Sequence, residues 1–598
     1  MAQAPTTPAR LSGSGANLDS LRTPSNVAGA AVSDQLNSFL VEEGGPWIAY
    51  DIKSNSHCDF ERFLRVLLLR ATKGNVNKLP DLQPYLNAVL PLCDKLVPDL
   101  RAYCKAARNG KEPAMYPPLV SLLSTAMGGL KGVDVEGLLG DDEELLFHIS
   151  DPTVIKTVHR GGVVSERKPN IILLSCETAR NAGNPEAISD HWSGVGLKSA
   201  LKPPMRAFTW EESRVPVEVK PGSISSKTPA SYVVKKKEIT AKAARKVRMF
   251  QDIATPVTSQ QASHQKSTTF ASVKRGRPQR SKRLSPRATQ PKAPPTKRTA
   301  APNQTIQHQD KLHVTIQCAL YGAEMLSASP SLASAMSLAI IGNIVHVWWY
   351  DRQWAIQTKG LDFVEDLPYF VVLLLALQRL GPVGYGELPF KKGKKIIIPS
   401  GPVEITLGEA IVKHYGIVGR ATNIYHAKSS APDPWQVGGG GTFALVPCCT
   451  MIKAILRTIA SIYSEPSIDQ ISISIDGIRN LTLDGRDYQG ETADSLEGLE
   501  MVAKISWVRE HRTAEHIIVN NAVKKAKELP DEDDDRIAII GHVPEIIAAI
   551  EYDRYGTKLI REQLGFDPDH TAVKRNRGCR VIISRRLRPL PSLRETIS

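Results

Sequence analysis

Met501-Val-Ala-Lys-Ile-Ser-Trp507 is the stretch that decides the fold of the region around it. It is an apolar run with a single lysine, which is typical of a strand that places one ammonium group on an otherwise buried face. A carboxylate follows at Glu515, in a helical segment, and we expect it to pair with Lys504. Such a pair can hold nucleotide phosphates. The alternative is an ordinary strand lysine whose ammonium reaches solvent.

The sequence on both sides of this stretch predicts further strands. Residues 405–416 run into residues 417–427 with glycine at the bend, which indicates a strand–turn–strand unit. Cys579–Ser584 predicts one more strand, close to the last residue of the sequence. Residues 429–498 interrupt this pattern, and we assign them only as an insert.

The preceding part of the chain predicts a mixed α/β domain in two pieces, residues 34–220 and 311–398. Apolar residues at helical spacing begin near residue 34, and short apolar runs with β-branched residues indicate strands. The predicted elements are strands at Ile171–Ser175 and Val215–Lys220, a helix at His313–Met325, a β-like segment with a Gly-Asn turn at Met336–Trp349, and a buried helix at 369–380.

The net charge of +15 is concentrated in one segment. Residues 221–300 contain 19 Lys or Arg and two acidic residues, so the remainder of the chain carries a net charge of −2. This segment has few large apolar residues, and it cannot bury enough surface to order itself. We therefore predict a basic disordered insert over 221–310, and a disordered segment over 1–33.

Within this insert, Arg275, Gly276, Arg277 and Pro278 form an AT-hook core flanked by cations. An extended Arg-Gly-Arg can lie in the narrow minor groove of A·T-rich DNA, because glycine keeps the backbone close to the groove floor. The same run also fits nuclear import, nonspecific phosphate contact or a solvated linker. DNA is therefore one predicted partner, with strongly salt-dependent binding.

Several features bear on the compartment. The eight cysteines form no CxxC pair and have no histidine at zinc spacing, which favours a reducing compartment and argues against a structural metal. The N-terminus has no apolar leader, and the longest apolar run, Tyr369–Leu377, is much shorter than the ~18–20 residues that span a bilayer. We expect a nuclear or cytoplasmic protein without a membrane segment.

A second arrangement concerns the order of polar residues along the predicted strands. Asn170, then Glu218 and Lys220, followed by a helix and a strand, have the order of a PD-(D/E)XK nuclease core. In that core an Asp and a Glu hold magnesium, and the Lys polarises the attacking water. Asn170 stands at the Asp position and is a poor ligand for a hard cation. We therefore favour a nuclease-like fold without activity over an active nuclease, and assign no metal site.

Several stretches together resemble the fungal-type protein kinase family, the kinase-like proteins of basidiomycete fungi. The resemblance rests on the order of the motifs over residues 35–590, apart from the two inserts, rather than on any one motif. The motifs are Arg167-Lys-Pro-Asn170, Trp210 with Val215-Pro-Val-Glu-Val-Lys220, Ala319-Leu-Tyr-Gly-Ala-Glu-Met-Leu326, Val347-Trp-Trp-Tyr-Asp-Arg-Gln353, Phe363-Val-Glu-Asp-Leu-Pro368, Val418-Gly-Arg-Ala-Thr-Asn-Ile-Tyr-His-Ala427, Val502-Ala-Lys-Ile-Ser-Trp507 and Arg585-Arg-Leu-Arg-Pro589.

The resemblance implies that residues 399–598 form a kinase N-lobe, an antiparallel sheet with one helix. It implies the family's activity, ATP- and Mg-dependent Ser/Thr-type protein phosphorylation. Gly416 and Gly419 would lie in the nucleotide loop, Lys504 would contact phosphates, and Glu515 would hold Lys504. Ala421 departs from the pattern, because a further glycine is expected there.

The catalytic triplets H-R-D and D-F-G do not occur in the sequence. They supply the base and the magnesium ligands of a kinase. We therefore expect a pseudokinase whose C-lobe is absent from this chain, and we assign no catalytic residue. The alternative function is that of a nuclear DNA-associated protein acting through the basic insert. Protein partners are not identified by the sequence.

Overall fold

The computed structural model describes residues 41–52, 55–72, 78–140, 143–159, 164–182, 198–224, 226–234, 313–390, 395–397, 404–430, 478–479, 500–530, 543–552, 555–566 and 576–586. The predicted disorder at 1–33, the AT-hook core and almost all of the 429–498 insert lie outside these residues. The fold is a mixture of helices and sheets, which confirms the predicted α/β (α+β) class.

The first part of the structure combines runs of consecutive strands with helices before, between and after them. The strands are β1 (Ser56–Cys58), β2 (Leu145–Ile149), β3 (Ile155–Val158), β4 (Val164–Arg167), β5 (Ile171–Ser175), β6 (Val215–Lys220), β7 (Ser334–Ile341), β8 (Ile344–Asp351), β9 (Ala355–Thr358) and β10 (Leu361–Asp362). One sheet has the order β1-β9-β8-β7-β6-β5-β2, with β10 paired to β8, and β3 pairs with β4. Most pairs are antiparallel, but β6–β7 and β1–β9 are parallel. The nuclease-like description of this strand order stays a prediction.

Helices cover this sheet and bury its apolar residues. They are α1 (Val41–Ile52), α2 (Phe60–Arg70), α3 (Gln83–Arg108), α4 (Glu112–Leu130), α5 (Cys176–Ala182), α6 (Val314–Ala328), α7 (Leu367–Arg379) and α8 (Gly381–Gly384). The helix predicted at 369–380 is α7, and nearly all its side chains are buried against α2, α3 and α4. Helix α6 makes the connection between the parallel strands β6 and β7 and packs on both. Among the described helices, none is long and apolar enough to cross a membrane.

The turn between β7 and β8 shows why the sequence places glycine there. Gly342 has φ +57°, in the left-handed region, and a Cβ at this position would lie 3.0 Å from the backbone of Gly222. The predicted Gly-Asn turn is thereby confirmed. Asn343 donates to the Asp362 carboxylate at 2.6 Å, which fixes β10 beside the turn.

Two residues at the start of the predicted basic insert contact the first part of the structure. Tyr232 is buried and donates its hydroxyl hydrogen to the carbonyl oxygen of Val364 at 2.8 Å. Ser226 donates to Asp362 at 2.7 Å. Composition could not reveal these contacts, because a tyrosine and a serine in a polar segment find buried partners far along the chain. The domain boundaries themselves stay predictions.

The second part of the structure is an antiparallel sheet with the order β11-β12-β13-β15-β17-β16-β14. Its elements are β11 (Lys395–Ile397), β12 (Glu404–Val412), β13 (Asn423–Ser430), β14 (Ile478–Arg479), β15 (Met501–Arg509), α9 (Glu515–Lys527), β16 (Ile546–Tyr552), α10 (Lys558–Gln563) and β17 (Arg577–Arg585). The predicted strand–turn–strand unit is β12–β13, and the strand predicted around Lys504 is β15. Alternate residues of β15, including Ala503, Ile505 and Trp507, enter the core of this sheet.

The two parts share side chains at their contact. Tyr415 and Ile417, from the loop between β12 and β13, are buried in the first core, as is Ile560 of α10. In return, Ala333 and Leu388 of the first part belong to the second core. The loop between β12 and β13 therefore lies at the junction of the two sheets.

Candidate functional site

Lys504 and Glu515 form an ion pair on the second sheet. Lys504 lies in the middle of β15, between Ile424 of β13 and Ile582 of β17. Its Nζ atom donates to the Oε2 atom of Glu515 at 2.5 Å, with side-chain exposures of 31% and 47%. Glu515 is the first residue of α9, where the helix dipole favours a carboxylate. An exposed pair contributes at most about 1 kcal/mol to stability, so its main effect is to orient the lysine.

Four arginines lie around the C-terminal end of β15 and are named the arginine cluster: Arg420, Arg509, Arg512 and Arg577. Arg509 and Arg577 are direct cross-strand partners, and the amide of Arg512 donates to the carbonyl of Arg509 at 3.0 Å. Arg577 donates to the carbonyl of Trp507 at 2.9 Å, and the Trp507 amide donates to the carbonyl of Arg420 at 2.6 Å.

The like charges of the arginine cluster raise the local positive potential. Burial, followed by the charges of Arg509 and Arg420, lowers the pKa of Arg577 to about 10. Burial and the neighbouring Arg512 also lower the pKa of Arg420. An anion placed among these guanidinium groups would relieve their repulsion. The C-terminal end of β15 therefore carries a concentrated positive charge.

The loop between β12 and β13 carries the predicted nucleotide-loop glycines. Gly416 and Gly419 have φ values of +139° and +142°, which L side chains rarely adopt. A Cβ on Gly416 would lie 3.4 Å from Nε2 of His414 and 3.5 Å from Oδ2 of Asp51. Ala421, at the position where the resemblance implies glycine, is fully buried with φ +42°. The backbone there has the left-handed conformation that glycine favours, although the residue is alanine.

Asp51, at the end of α1, caps this loop, and the sequence did not predict this contact. Its Oδ2 atom accepts hydrogen bonds from the amides of Ile417 at 3.1 Å and Val418 at 3.2 Å. Burial raises the pKa of Asp51 to about 7, and the two amide hydrogen bonds only partly oppose this shift. The resemblance implies that the backbone of this loop approaches a phosphate. In the structure, the side chain of Asp51 instead accepts the amide hydrogens of Ile417 and Val418.

Arg352 also contacts the loop between β12 and β13. Its Nη1 atom donates to the carbonyl of Gly416 at 3.2 Å, and its Nη2 atom donates to the carbonyl of Leu326 at 2.5 Å. Its own carbonyl accepts the Gly419 amide at 3.0 Å. Burial lowers the pKa of Arg352 to about 10. Because Arg352 is almost completely buried, the loop is fixed to the end of β8.

The residues on either side of Arg352 bind the α10 region. Asp351 accepts two hydrogen bonds from Arg561, at 2.8 and 3.0 Å. Gln353 accepts a hydrogen bond from the hydroxyl of Thr557. Asp351–Gln353, named the junction segment, therefore connects the first domain both to the glycine loop and to α10. A run of three polar residues directly after the apolar Val347–Tyr350 was the only sequence signal for it.

The three residues with nuclease-like order do come together in space. Lys220 forms ion pairs with Glu218 at 2.8 Å and with Glu112 at 3.1 Å. The side-chain oxygen of Asn170 accepts the amide of Val219 at 2.7 Å, and its nitrogen donates to the hydroxyl of Tyr116 at 2.8 Å.

Asn170, Glu218 and Lys220 use their polar groups in contacts with each other and with neighbouring residues. Tyr321 donates to Glu218 at 2.8 Å, and burial raises the pKa of this carboxyl despite the opposing charge of Lys220. Within the described residues, no group of three or more His, Cys, Asp or Glu side chains is arranged to hold a metal ion. The geometry favours a structural role for Asn170, Glu218 and Lys220. DNA binding through the AT-hook core stays a prediction. Its residues, Arg275, Gly276, Arg277 and Pro278, lie outside the described part of the chain.

Comparison with protein families gives one match. Residues 303–437 match the family model described as fungal protein kinase. The matched segment contains α6, α7, the junction segment and the glycine loop, and it ends before Lys504 and Glu515. No significant match was found among curated proteins or among solved structures. The similarity to the fungal protein kinase family therefore covers residues 303–437, and the roles of Gly416, Gly419, Lys504 and Glu515 stay predictions.

Proposed function

We propose that the chain is a kinase-like protein whose second sheet binds the phosphates of ATP. Lys504 is the phosphate ligand, and Glu515 orients it. The observation that carries this proposal is the 2.5 Å ion pair between Lys504 and Glu515, on the strand next to the glycine-containing hairpin. The match of residues 303–437 to the fungal protein kinase family supports it.

The placement of the lysine relative to the loop fits phosphate binding. Lys504 is opposite Ile424, and Ile424 is the second residue of β13 after the loop. The ammonium is a compact point charge with three donors, and a carboxylate partner reduces the number of rotamers it samples. The arginine cluster adds positive potential at the C-terminal end of β15, the strand that carries Lys504, and Arg420 of this cluster interacts electrostatically with Glu515.

The residues fit a nucleotide only in part. The side chains of Lys504 and Arg420 are at least partly exposed, so they are available to phosphate oxygens. The amides of Ile417 and Val418 are taken by Asp51, and a phosphate must displace this carboxylate to use them. ATP, when bound, supplies the phosphoryl groups that these cations neutralise. For magnesium, the described residues offer no ligand cluster, and we derive no step through it.

We propose nucleotide binding without phosphoryl transfer by the residues of this chain. A kinase needs an Asp to accept the substrate proton, and Asn and Asp residues to hold magnesium. The sequence contains neither H-R-D nor D-F-G. The proposed role of the bound nucleotide is therefore to stabilise the second sheet against the first domain.

Calorimetric titration with ATP, in the presence and absence of magnesium, tests this function. We expect Lys504→Ala to weaken ATP binding at least tenfold and Glu515→Gln to weaken it several-fold. Lys156→Ala is the control, because Lys156 forms a more exposed Lys–Glu ion pair, with Glu166, on the β3–β4 hairpin outside the second sheet. Equal heats for Lys504→Ala and the unaltered protein, or no ATP binding at all, would overturn the proposal.

A phosphate-release assay with the same preparations tests the absence of transfer. The unaltered protein and Lys504→Ala are expected to show the same background rate. A rate that depends on Lys504 would show that the chain hydrolyses or transfers the phosphoryl group, while leaving nucleotide binding intact as a conclusion.

A further inference from the structure

A polar cleft of about 150 Å³ lies between the first domain and the α10 region. The end of α2, strands β7 and β8, α8 and residues 555–563 form its walls. Its lining includes an arginine, a tryptophan and a glutamine, together with a serine and a glycine that face each other: Arg70, Trp349, Gln563, Ser334 and Gly386. No part of the proposed ATP site contributes to these walls.

Arg70 brings a half-buried positive charge to the cleft. Its guanidinium lies over the ring of Trp349, 4.7 Å from the centroid. Within the described part of the chain, Arg70 has no hydrogen-bonded or ion-paired side-chain partner, and its Nε atom is buried. Burial lowers the pKa of Arg70 to about 10, with partial compensation from Asp351, so it remains charged at neutral pH.

The nearest carboxylate cannot neutralise Arg70 fully. Both oxygens of Asp351 accept hydrogen bonds from Arg561, and one of them also accepts the amides of Gln353 and Trp354. The C-terminal end of α2 and the ring of Trp349 each favour a cation. Neither supplies a hydrogen-bond acceptor for the guanidinium, whose Nε–H is buried without a partner, and an unpaired buried donor is costly.

Other groups of the wall also lack partners. Trp349 is 2% exposed, and its indole Nε1–H has no acceptor among the described residues. The Oε1 atom of Gln563 is likewise buried without a donor there. Gly386, with φ +85°, lies so close to Ser334 that any side chain at this position would collide with the serine hydroxyl. Glycine at this position therefore lets the Ser334 side chain pack directly against the backbone at the wall of the cleft.

We propose that this cleft binds a small phosphate-type anion, either inorganic phosphate or the phosphate group of a small ester. The guanidinium of Arg70 and the indole N–H of Trp349 donate to its oxygens. The monoanionic form of phosphate also carries a hydroxyl hydrogen, which Gln563 can accept. The volume corresponds to about five water molecules, which suits one phosphate group and is too small for a nucleoside triphosphate.

Such a ligand would join the two parts of the molecule. Arg70 and Trp349 belong to the first domain, whereas Gln563 belongs to α10. An anion that contacts both sides binds the folded, docked state and stabilises it by mass action. The melting temperature of the full chain is therefore expected to rise with phosphate concentration.

Thermal unfolding of the full chain in inorganic phosphate, at constant ionic strength set with chloride, tests the proposal. We expect a concentration-dependent increase in melting temperature for the unaltered protein. Arg70→Gln is expected to weaken phosphate binding at least tenfold, and Trp349→Phe, which keeps an aromatic ring and removes the N–H, several-fold. Arg65→Gln is the matched control on the same helix, because Arg65 pairs with Glu61 outside the cleft.

Each variant is compared with itself at different phosphate concentrations, so a lower starting stability does not obscure the result. If Arg70→Gln fails to fold, the phosphate dependence of the melting temperature of Trp349→Phe still tests the proposal. The proposal is overturned if phosphate raises the melting temperature no more than chloride does, or if both cleft variants respond like the unaltered protein. A response lost in Lys504→Ala would place the anion at the ATP site and would also overturn it.

Glycerol 3-phosphate distinguishes the two sources of the ligand. Binding tighter than that of inorganic phosphate, and dependent on Arg70, identifies a phosphate ester as the occupant. Equal or weaker binding identifies inorganic phosphate, because the cleft then gains nothing from the attached carbon chain.

Discussion

Arg561 donates two hydrogen bonds to Asp351 across the junction of the two sheets, and both side chains are less than 5% exposed. The pair fixes α10 to the end of β8, next to the residue that holds the glycine loop. Removing one partner of such a buried pair leaves an uncompensated charge, which is far more costly than the pair is stabilising.

We therefore predict that Arg561→Ala lowers the free energy of unfolding by about 3–5 kcal/mol. Urea denaturation followed by tryptophan fluorescence measures this change. The control is Arg585→Ala, which removes a half-exposed partner of Glu545 and is expected to cost no more than about 1 kcal/mol. Similar losses in both variants would mean that the α10 contact does not depend on the buried pair.

The pKa of Asp51 predicts a dependence of stability on pH. Its folded-state pKa of about 7 exceeds the ordinary value of 3.8, so the native state binds the proton more tightly than the unfolded chain. This contribution to stability is complete below about pH 4 and is lost as the pH rises through 7. His414, which lies beside the same loop, has its pKa lowered to about 3 by burial and by the charges of Arg352 and Arg577, so it stays neutral in this range.

Asp51→Asn retains an acceptor for the two amides and removes the ionisation. We expect its melting temperature to vary less between pH 5 and pH 8 than that of the unaltered protein, and its stability at pH 8 to be higher by about 1 kcal/mol. Thermal scans at closely spaced pH values measure both quantities. Parallel pH profiles for the two proteins would show that Asp51 does not titrate in this range.

The contact of Asp51 with the loop also predicts an effect on the proposed ATP site. Asp51→Ala frees the amides of Ile417 and Val418, which a phosphate can then use. We expect ATP affinity to rise about three- to tenfold, which corresponds to roughly one added hydrogen bond. Asp134→Asn, an exposed residue of the first domain, serves as the control in the same calorimetric titration. Unchanged or weaker affinity in Asp51→Ala would show that the amides do not meet the nucleotide.

Ala421 predicts a stabilising substitution. Its φ of +42° costs an L residue about 1–2 kcal/mol, whereas glycine adopts it freely but loses more chain entropy on folding. The net expectation for Ala421→Gly is a gain of up to about 1 kcal/mol, measured by urea denaturation. Ala421→Val is expected to destabilise, since this position is fully buried and a branched side chain is more strained there. A loss of stability in the glycine variant would contradict the assignment of strain.

Much of the second sheet could be predicted because its signals are local. The apolar run around Lys504 predicted β15, and the glycine at the bend between two strand-like segments predicted the β12–β13 hairpin. The pairing of Lys504 with Glu515 followed as well, since only 11 residues separate them along the chain. The contacts of Ser226 and Tyr232 could not be predicted, because their partners lie in the distant segment 362–364.

The sequence by itself determined the class of the fold, the strand that carries Lys504 and the resemblance to the fungal protein kinase family. Only the tertiary structure decided how the candidate site is enclosed. Asp51 meets Ile417 across 366 residues, and Asp351 meets Arg561 across 210. Hydrophobic periodicity fixes which face of an element is buried, but it carries no information on which polar groups of distant elements then satisfy one another in the closed core.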